Sequence, residues 1–226
     1  DGRRELSGKP HFSRYTLPFL AAPPGGIPLD WKYHTLPYTS SAYPWLCRLR
    51  GRPHAFSLQG GSAHAARYDI VGADPVAVIV TTGTETRIRR GTTESLRRDN
   101  PFDIIEQEVD AHRPASDSPF DLPFSGGAVG YFGYELVHLL ERLPPPVTDA
   151  LAIPDLVVGI YNWFITIDHL KQQACLVATP AVSGTEFERI KVRLMAPEPV
   201  LPNPVGSDAS DICSSFDRPA YERAVE

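Results

Sequence analysis

Leu156-Val-Val-Gly-Ile-Tyr-Asn-Trp163-Phe-Ile-Thr-Ile-Asp168 is the stretch whose reading decides the fold class. Tyr161, Trp163, Ile165 and Ile167 alternate with Asn162, Thr166 and Asp168. Aromatic and β-branched side chains at period two fit a pleated surface, so the run predicts one long strand over 156–168. Residues 169–173 make a polar turn, and Ala174 to Thr179 return antiparallel. The apolar run 156–167 contains Asn162 and falls short of the ~20 apolar residues a membrane helix needs. No membrane partner is expected.

Upstream the texture is also β-rich. Ala55 to Gln59 reads as a short strand ending at Gly60-Gly61, and Arg67 to Val71 and Pro75 to Thr82 as strands separated by Gly-Ala-Asp. Gly83 turns the chain into Thr84 to Arg90, completing a hairpin. One helix is announced over 101–112. Asn100 can cap it, Pro101 fits its first position, Asp103 suits the positive end of its dipole, and Phe102, Ile105 and Val109 share a face. A second helix is expected over Glu135 to Arg142, with Leu136, Leu140 and Leu143 aligned, and a third over Glu186 to Met195, with Phe187, Ile190 and Leu194 on one face. The order of elements predicts an α+β fold, mainly antiparallel β-sheet with flanking helices.

Prolines number 23 in 226 residues, about double the usual share, and cluster in connectors at 18–28, 114–123, 144–146 and 197–204. Residues 1–30 carry Pro, Gly and charge without period and read as a loose N-terminal extension. Residues 31–196 read as the main domain, and 197–226 as a linker followed by a helix start cut mid-element, with Ser215 or Asp217 as its cap.

The formal net charge of -5 is mildly acidic. Arg87, Arg89, Arg90, Arg97 and Arg98 read as solvated strand and loop charges with no aromatic platform beside them, so no nucleic-acid partner is expected. Cys47, Cys175 and Cys213 match no metal or redox spacing, and an odd, sparse count argues against a secreted disulfide scaffold. The N-terminus lacks the order of regions of a signal peptide, which points to a cytoplasmic protein.

No catalytic constellation stands out. No two histidines share a helix face with a carboxylate; His112 and His138 read as cap or surface residues, and no metal site is expected in the chain. Gly126-Gly127-Ala-Val-Gly130-Tyr-Phe-Gly133 lacks the Gly-Lys-Ser/Thr of a phosphate loop. It reads instead as backbone in close approach, with Tyr131, Phe132 and Tyr134 packed around it. Asp69 and Asp74 each flank a turn and read as caps. Arg67 and Tyr68 read as an ion pair at a strand start and as core packing.

Three stretches together carry a resemblance. Arg67-Tyr-Asp-Ile-Val-Gly-Ala-Asp-Pro75, Leu122-Pro-Phe-Ser-Gly-Gly-Ala-Val-Gly-Tyr-Phe-Gly-Tyr-Glu135, and Ile153-Pro-Asp-Leu-Val-Val-Gly-Ile-Tyr-Asn-Trp163 with the following Asp168-His169 are similar to blocks of the large subunits of anthranilate synthase and aminodeoxychorismate synthase. They stand in that family's order. The third block is more similar to the aminodeoxychorismate branch. Ser57-Leu58-Gln59-Gly60 stands where the anthranilate branch has Leu-Leu-Glu-Ser.

The resemblance implies an enzyme that takes chorismate and ammonia, with magnesium, to 4-amino-4-deoxychorismate for para-aminobenzoate and folate synthesis. It implies a glutamine amidotransferase subunit as partner. Magnesium ligands and the catalytic lysine would lie in a chorismate-binding region beginning near Phe216, so this chain would be the non-catalytic N-terminal part, half of the family's two-sheet sandwich. The apolar faces of Phe102, Ile105, Val109, Trp163, Ile165 and Ile167 would then be covered in part by the other half. It also implies a pocket for a structural tryptophan at Gly60, Ala65, Ala66, Arg67 and Tyr68, with Gly60 in place of a ligand-binding serine. Two other readings compete: an anthranilate synthase component I, and a stand-alone ligand-binding or regulatory module.

Overall fold

The computed structural model describes residues 30–60, 67–139, 141, 152–197 and 217–225. The expected N-terminal extension therefore lies outside the described residues save for Asp30, and so does most of the 197–226 segment.

The described strands form two five-stranded antiparallel sheets, confirming the α+β reading. Sheet A runs β1 (Lys32–Leu36), β10 (Gln173–Ala178), β9 (Trp163–Asp168), β3 (Tyr68–Gly72), β2 (Phe56–Gln59) in spatial order. Sheet B runs β6 (Thr93–Arg97), β5 (Glu85–Arg90), β4 (Ala77–Thr82), β8 (Leu156–Tyr161), β7 (Gly127–Phe132). Helices are α1 (Tyr43–Arg48), α2 (Pro101–Ala111), α3 (Gly184–Met195) and α4 (Arg218–Val225). No described helix is long and apolar enough to cross a membrane.

The expected single strand over 156–168 is two strands in two sheets, β8 and β9, divided at Asn162. The alternation itself changes phase there. Leu156, Val158 and Ile160 face one core, whereas Trp163, Ile165 and Ile167 face another. The partner ribbon bends at the same place, since β3 pairs with β9 and β4 with β8. Between Val71↔Ile165 and Ala77↔Ile160 the register slips by one, so the residues at 72–76 oppose the shorter stretch 161–164. An extra residue in one strand of a pair bends both and sharpens their twist.

That corner explains the Gly72-Ala-Asp-Pro75 signature. Ala73 is fully buried, and Asp74 adopts φ 56°, a left-handed conformation that aspartate tolerates. Arg52 pairs with Asp74 at 2.7 Å, and the Val76 N–H donates to the Ile160 carbonyl at 2.8 Å.

Sheet A is covered on both faces. Trp45 and Leu49 from α1 and its end, with Phe187, Ile190 and Leu194 from α3, pack on Val71, Trp163, Ile165, Ile167 and Leu176. On the other face Trp31, Phe120 and the partly buried Leu122 and Phe124 cover Phe164, Cys175 and Val177. Trp163, Ile165 and Ile167 are thus covered within this chain, contrary to the expectation that they await another half. The reason is that α1, which the sequence reading did not foresee, folds over them together with α3.

Sheet B carries α2 on one face. Asn100 caps it as expected, its side chain accepting from the Phe102 N–H at 3.0 Å. The buried face is not Phe102, Ile105 and Val109, which are partly buried, but Pro101, Ile104 and Glu108. A charged residue can face inward here because Arg90 of β5 forks onto the Glu108 carboxylate. Arg90 is accordingly an ion-pair partner, not a solvated charge.

Two further expectations change. The second helix is a 3₁₀ turn, Tyr134–Leu139, burying only Leu136; Leu140 and Leu143 lie outside the described residues. Its tighter winding does not stack leucines four apart. The glycine-rich block is edge strand β7, and its aromatics do not form a buried cluster around it: Tyr131, Phe132 and Tyr134 are exposed. What the glycines receive is backbone, since a Cβ on Gly130 would lie 2.0 Å from the Val157 carbonyl oxygen. Phe132 stacks on Phe102 with ring centroids 6.0 Å apart. Helix α4 starts as read, with Asp217 accepting from the Ala220 N–H at 2.7 Å.

Candidate functional site

At the end of sheet A nearest Gly60, adjacent strands β3 and β9 bring Tyr68 opposite Asp168 and Asp69 opposite Ile167. Alternation then divides the polar groups between the two faces of the sheet.

On the face carrying α1, Asp69 is buried, at 5 % exposure. One carboxylate oxygen accepts from the Gly60 N–H at 3.2 Å. The other accepts from the Ala42 N–H at 3.2 Å, where α1 begins, and faces His169 Nε2 at 3.1 Å. His169 Nδ1 stands 3.3 Å from the Tyr38 hydroxyl. Because the carboxylate can only accept, Nε2 carries a hydrogen; in the neutral ring Nδ1 then accepts from Tyr38 O–H. Asp69 is therefore no turn cap. It is a hub joining the end of β2, the start of α1 and the residue after β9.

On the opposite face, Asp168 is fully buried. Arg67 donates to one of its oxygens through Nε at 3.0 Å and Nη2 at 2.6 Å. The other oxygen accepts from the N–H groups of Leu170 and Lys171, each at 3.0 Å, which closes the β9–β10 turn. The hydrogen bond to Asp168 raises the Arg67 pKa, and burial, followed by the Asp168 charge, raises that of Tyr68. The Arg67 guanidinium lies 4.6 Å from the Tyr68 ring centroid.

Of the residues implied for a tryptophan pocket, Gly60, Arg67 and Tyr68 are brought to this end of sheet A, while Ala65 and Ala66 lie outside the described residues. The ion-pair reading of Arg67 holds. Sequence reasoning missed His169 as a partner of Asp69, and Tyr38 as the partner of His169. The available signal was Asp168-His169 itself, two polar residues ending an apolar strand, where side chains on opposite faces need separate partners.

The chemistry open to this network is positional. Asp69, Asp168 and Glu108, the buried carboxylates of the described residues, are all engaged. Among the described residues no group of three or more His, Cys, Asp or Glu side chains could hold a metal ion. These residues do not fit a magnesium site.

A concavity of about 620 Å³ opens on the outer face of sheet B between Val78, Val80, Leu96 and Pro154 and the charged Arg87 and Arg89. His54 lies at its edge, its pKa lowered by burial and then by the Arg89 charge.

Two antiparallel sheets, joined by a bent ribbon whose corner is Gly-Ala-Asp-Pro, define the class. The chain belongs to the family of chorismate binding enzymes, whose model matches residues 54–226. It is similar to aminodeoxychorismate synthase component 1 of Klebsiella aerogenes, with 36 % identity over 156 residues, covering 68 % of this chain and 33 % of that protein. It is also similar to anthranilate synthase component 1 of Acetivibrio thermocellus, at 35 % over 130 residues, covering 57 % and 26 % respectively. The crystal structure of anthranilate synthase component I from Streptococcus pneumoniae TIGR4 shares the fold, with a TM-score of 0.51 at 22 % identity over 63 % of this chain and 34 % of that one. The chain spans about a third, or less, of the length of these relatives.

Proposed function

We propose that this chain is the N-terminal, non-catalytic region of an aminodeoxychorismate synthase component I, a cytoplasmic enzyme that replaces the 4-hydroxyl of chorismate with ammonia to form 4-amino-4-deoxychorismate. A glutamine amidotransferase subunit delivers the ammonia, and the remainder of the full-length protein holds magnesium and the reacting groups. The observation that carries this reading is the 36 % identity to an aminodeoxychorismate synthase that is about three times as long as the matched segment. The engagement of every described buried carboxylate in hydrogen bonds or an ion pair supports a scaffolding role for this region.

The experiment is product analysis. Full-length protein given chorismate, ammonia and magnesium should yield aminodeoxychorismate, and the 226-residue chain alone should leave chorismate unchanged. Consumption of chorismate by the chain alone would overturn the non-catalytic assignment. Anthranilate as product would select the second reading, anthranilate synthase component I, which the 35 % identical Acetivibrio thermocellus protein favours. An unreactive full-length protein would favour a binding or regulatory module.

Tryptophan binding at Gly60, Arg67 and Tyr68 is expected to be weak. Gly60 offers no hydroxyl, its N–H is held by Asp69, and Arg67 is held by Asp168. Calorimetry on the full-length protein tests this, and micromolar or tighter affinity would contradict it.

A further inference from the structure

Strand β7 is one edge of sheet B, and among the described residues nothing pairs with its other side. The Gly133 N–H donates to the Asp155 carbonyl at 2.7 Å, and the β7–β8 register runs from Gly127↔Tyr161 to Phe132↔Leu156. In an antiparallel ladder successive residues turn their main-chain groups alternately toward and away from the partner strand. Gly127, Val129 and Tyr131 therefore face β8, in phase with Gly133, while Ala128, Gly130 and Phe132 turn their N–H and C=O groups to the open side. All three are exposed. We infer that this edge receives a strand from the part of the full-length protein that this chain does not contain, paired through the main-chain groups of Ala128, Gly130 and Phe132.

The first observation is what β7 lacks. Soluble proteins blunt a bare sheet edge with charge, with proline or by keeping it short. The other described edges do so: β1 carries Lys32, β6 carries Glu94 and Arg97, and β2 has only four residues. β7 is Gly-Ala-Val-Gly-Tyr-Phe, six residues with neither charge nor proline.

The second observation is the surface at the end of the same edge. Phe132 stacks on Phe102 and is still 55 % exposed, and Tyr134 is 85 % exposed. Tyr131 and Ile153 are exposed as well. Ile153 stands two residues before Asp155, whose carbonyl holds Gly133, and the Tyr131 hydroxyl donates to the Pro154 carbonyl at 2.9 Å. Aromatic and aliphatic groups thus gather beside main-chain donors and acceptors, without a charge on the strand. A strand added to an edge takes its affinity from main-chain hydrogen bonds and its specificity from side chains beside them, and permanent interfaces are the more apolar ones.

The third observation names the occupant. The matched segment is 33 % of the Klebsiella aerogenes relative, so most of a protein of that length lies outside this chain. A strand on the same polypeptide is held near β7 at high effective concentration. An uncharged edge is an aggregation hazard whenever it is bare, and a cover carried by the same chain leaves it bare only until folding is complete. The inference rests on the reading of this chain as the N-terminal part of a longer enzyme.

Two measurements on the full-length protein test it. Amide hydrogen exchange read residue by residue should show Ala128, Gly130 and Phe132 slowed about a hundredfold or more relative to unstructured chain, at any protein concentration. A photoreactive amino acid placed at position 128 should cross-link to a peptide from beyond residue 226 of the same molecule. Fast exchange at all three amides would overturn the inference, and would leave the functional reading standing if the same sample makes aminodeoxychorismate. Slow exchange that is lost on dilution, or a cross-link to a second copy, to the amidotransferase subunit or to a peptide within residues 1–226, would overturn it too. Slow exchange and the expected cross-link in a protein that makes another product would keep the strand pairing and remove the functional reading.

Discussion

Among the described residues, sheet A is sealed on both faces and sheet B on one, and most of what distinguishes their sequences follows from that difference. All six residues of β9 are buried, and only Gln173 of β10 escapes burial. A strand buried on both sides reads as a continuous apolar run. In β5 the residues Thr86, Ile88 and Arg90 turn toward α2, and Glu85, Arg87 and Arg89 toward the open concavity. The open face is held by exposed pairs such as Arg87–Glu94 at 3.2 Å and Arg98–Glu85 at 2.6 Å, each worth only ~0–1 kcal/mol. The sealed sheet holds its end with Asp69 and Asp168. The comparison teaches that charge in this molecule is cheap and dispensable on sheet B's outer face, and structural where sheet A ends.

The comparison breaks most visibly in the cores. Phe164, fully buried and 4.9 Å from Phe124 by ring centroid, should lose about 3–5 kcal/mol of stability on change to Ala. Leu96→Ala on sheet B's outer face, where the side chain is 54 % exposed, should change stability by no more than ~0.5 kcal/mol. Denaturant titration of both variants reads this directly; equal losses would mean that sheet B's outer face is as sealed as sheet A.

The second contrast is between charges. Asp69→Asn leaves an amide where three donors converge, and should cost on the order of 3 kcal/mol. Arg87→Gln, which breaks an exposed pair, should cost ~0.5 kcal/mol or less. Proteolysis should also become faster near residue 60 in D69N and not in R87Q. A D69N protein as stable as wild type would remove the hub from the account of sheet A.

The smallest effect sharpens the comparison by pH. Burial pushes the Cys175 thiol of sheet A from 9.0 to about 12, and burial, then the Asp74 charge, pushes the Tyr161 phenol at the seam from 10.0 to about 12. A folded-state pKa raised above the unfolded one gives stability that is complete below the unfolded value and lost as pH rises through the folded one. Stability should therefore hold to about pH 9 and then fall, first through Cys175 and above pH 10 through Tyr161 as well, at ~1.4 kcal/mol per unit for each group. Cys175→Ala should move the onset to the tyrosine range in melting curves taken from pH 8 to 11; an unmoved onset would assign the loss elsewhere.

Several elements were legible in the sequence because their signals are local. The cap at Asn100, the face Phe187–Ile190–Leu194, the hairpin turning at Gly83 and the ion-pair character of Arg67 each depend on a handful of neighbouring residues. Helix α1 was missed because Tyr43-Pro-Trp-Leu-Cys-Arg48 is too short for a period. The candidate site was legible only on the Arg67 side. Asp69 looks from the sequence like any aspartate beside a turn.

The sequence by itself determined the α+β class, the family, and most of the strands, since alternation, capping and turn chemistry act over a few residues. Only the tertiary structure decided that the strand at 156–168 breaks between two sheets, that α2 buries Glu108, and that no described element covers the outer face of sheet B. It also decided that Tyr38 and His169, 131 residues apart, share the Asp69 hub. The physical reason is that a buried charge takes its place from whichever donors the packed chain brings to it, and those donors come from segments whose spacing in sequence carries no record of the contact.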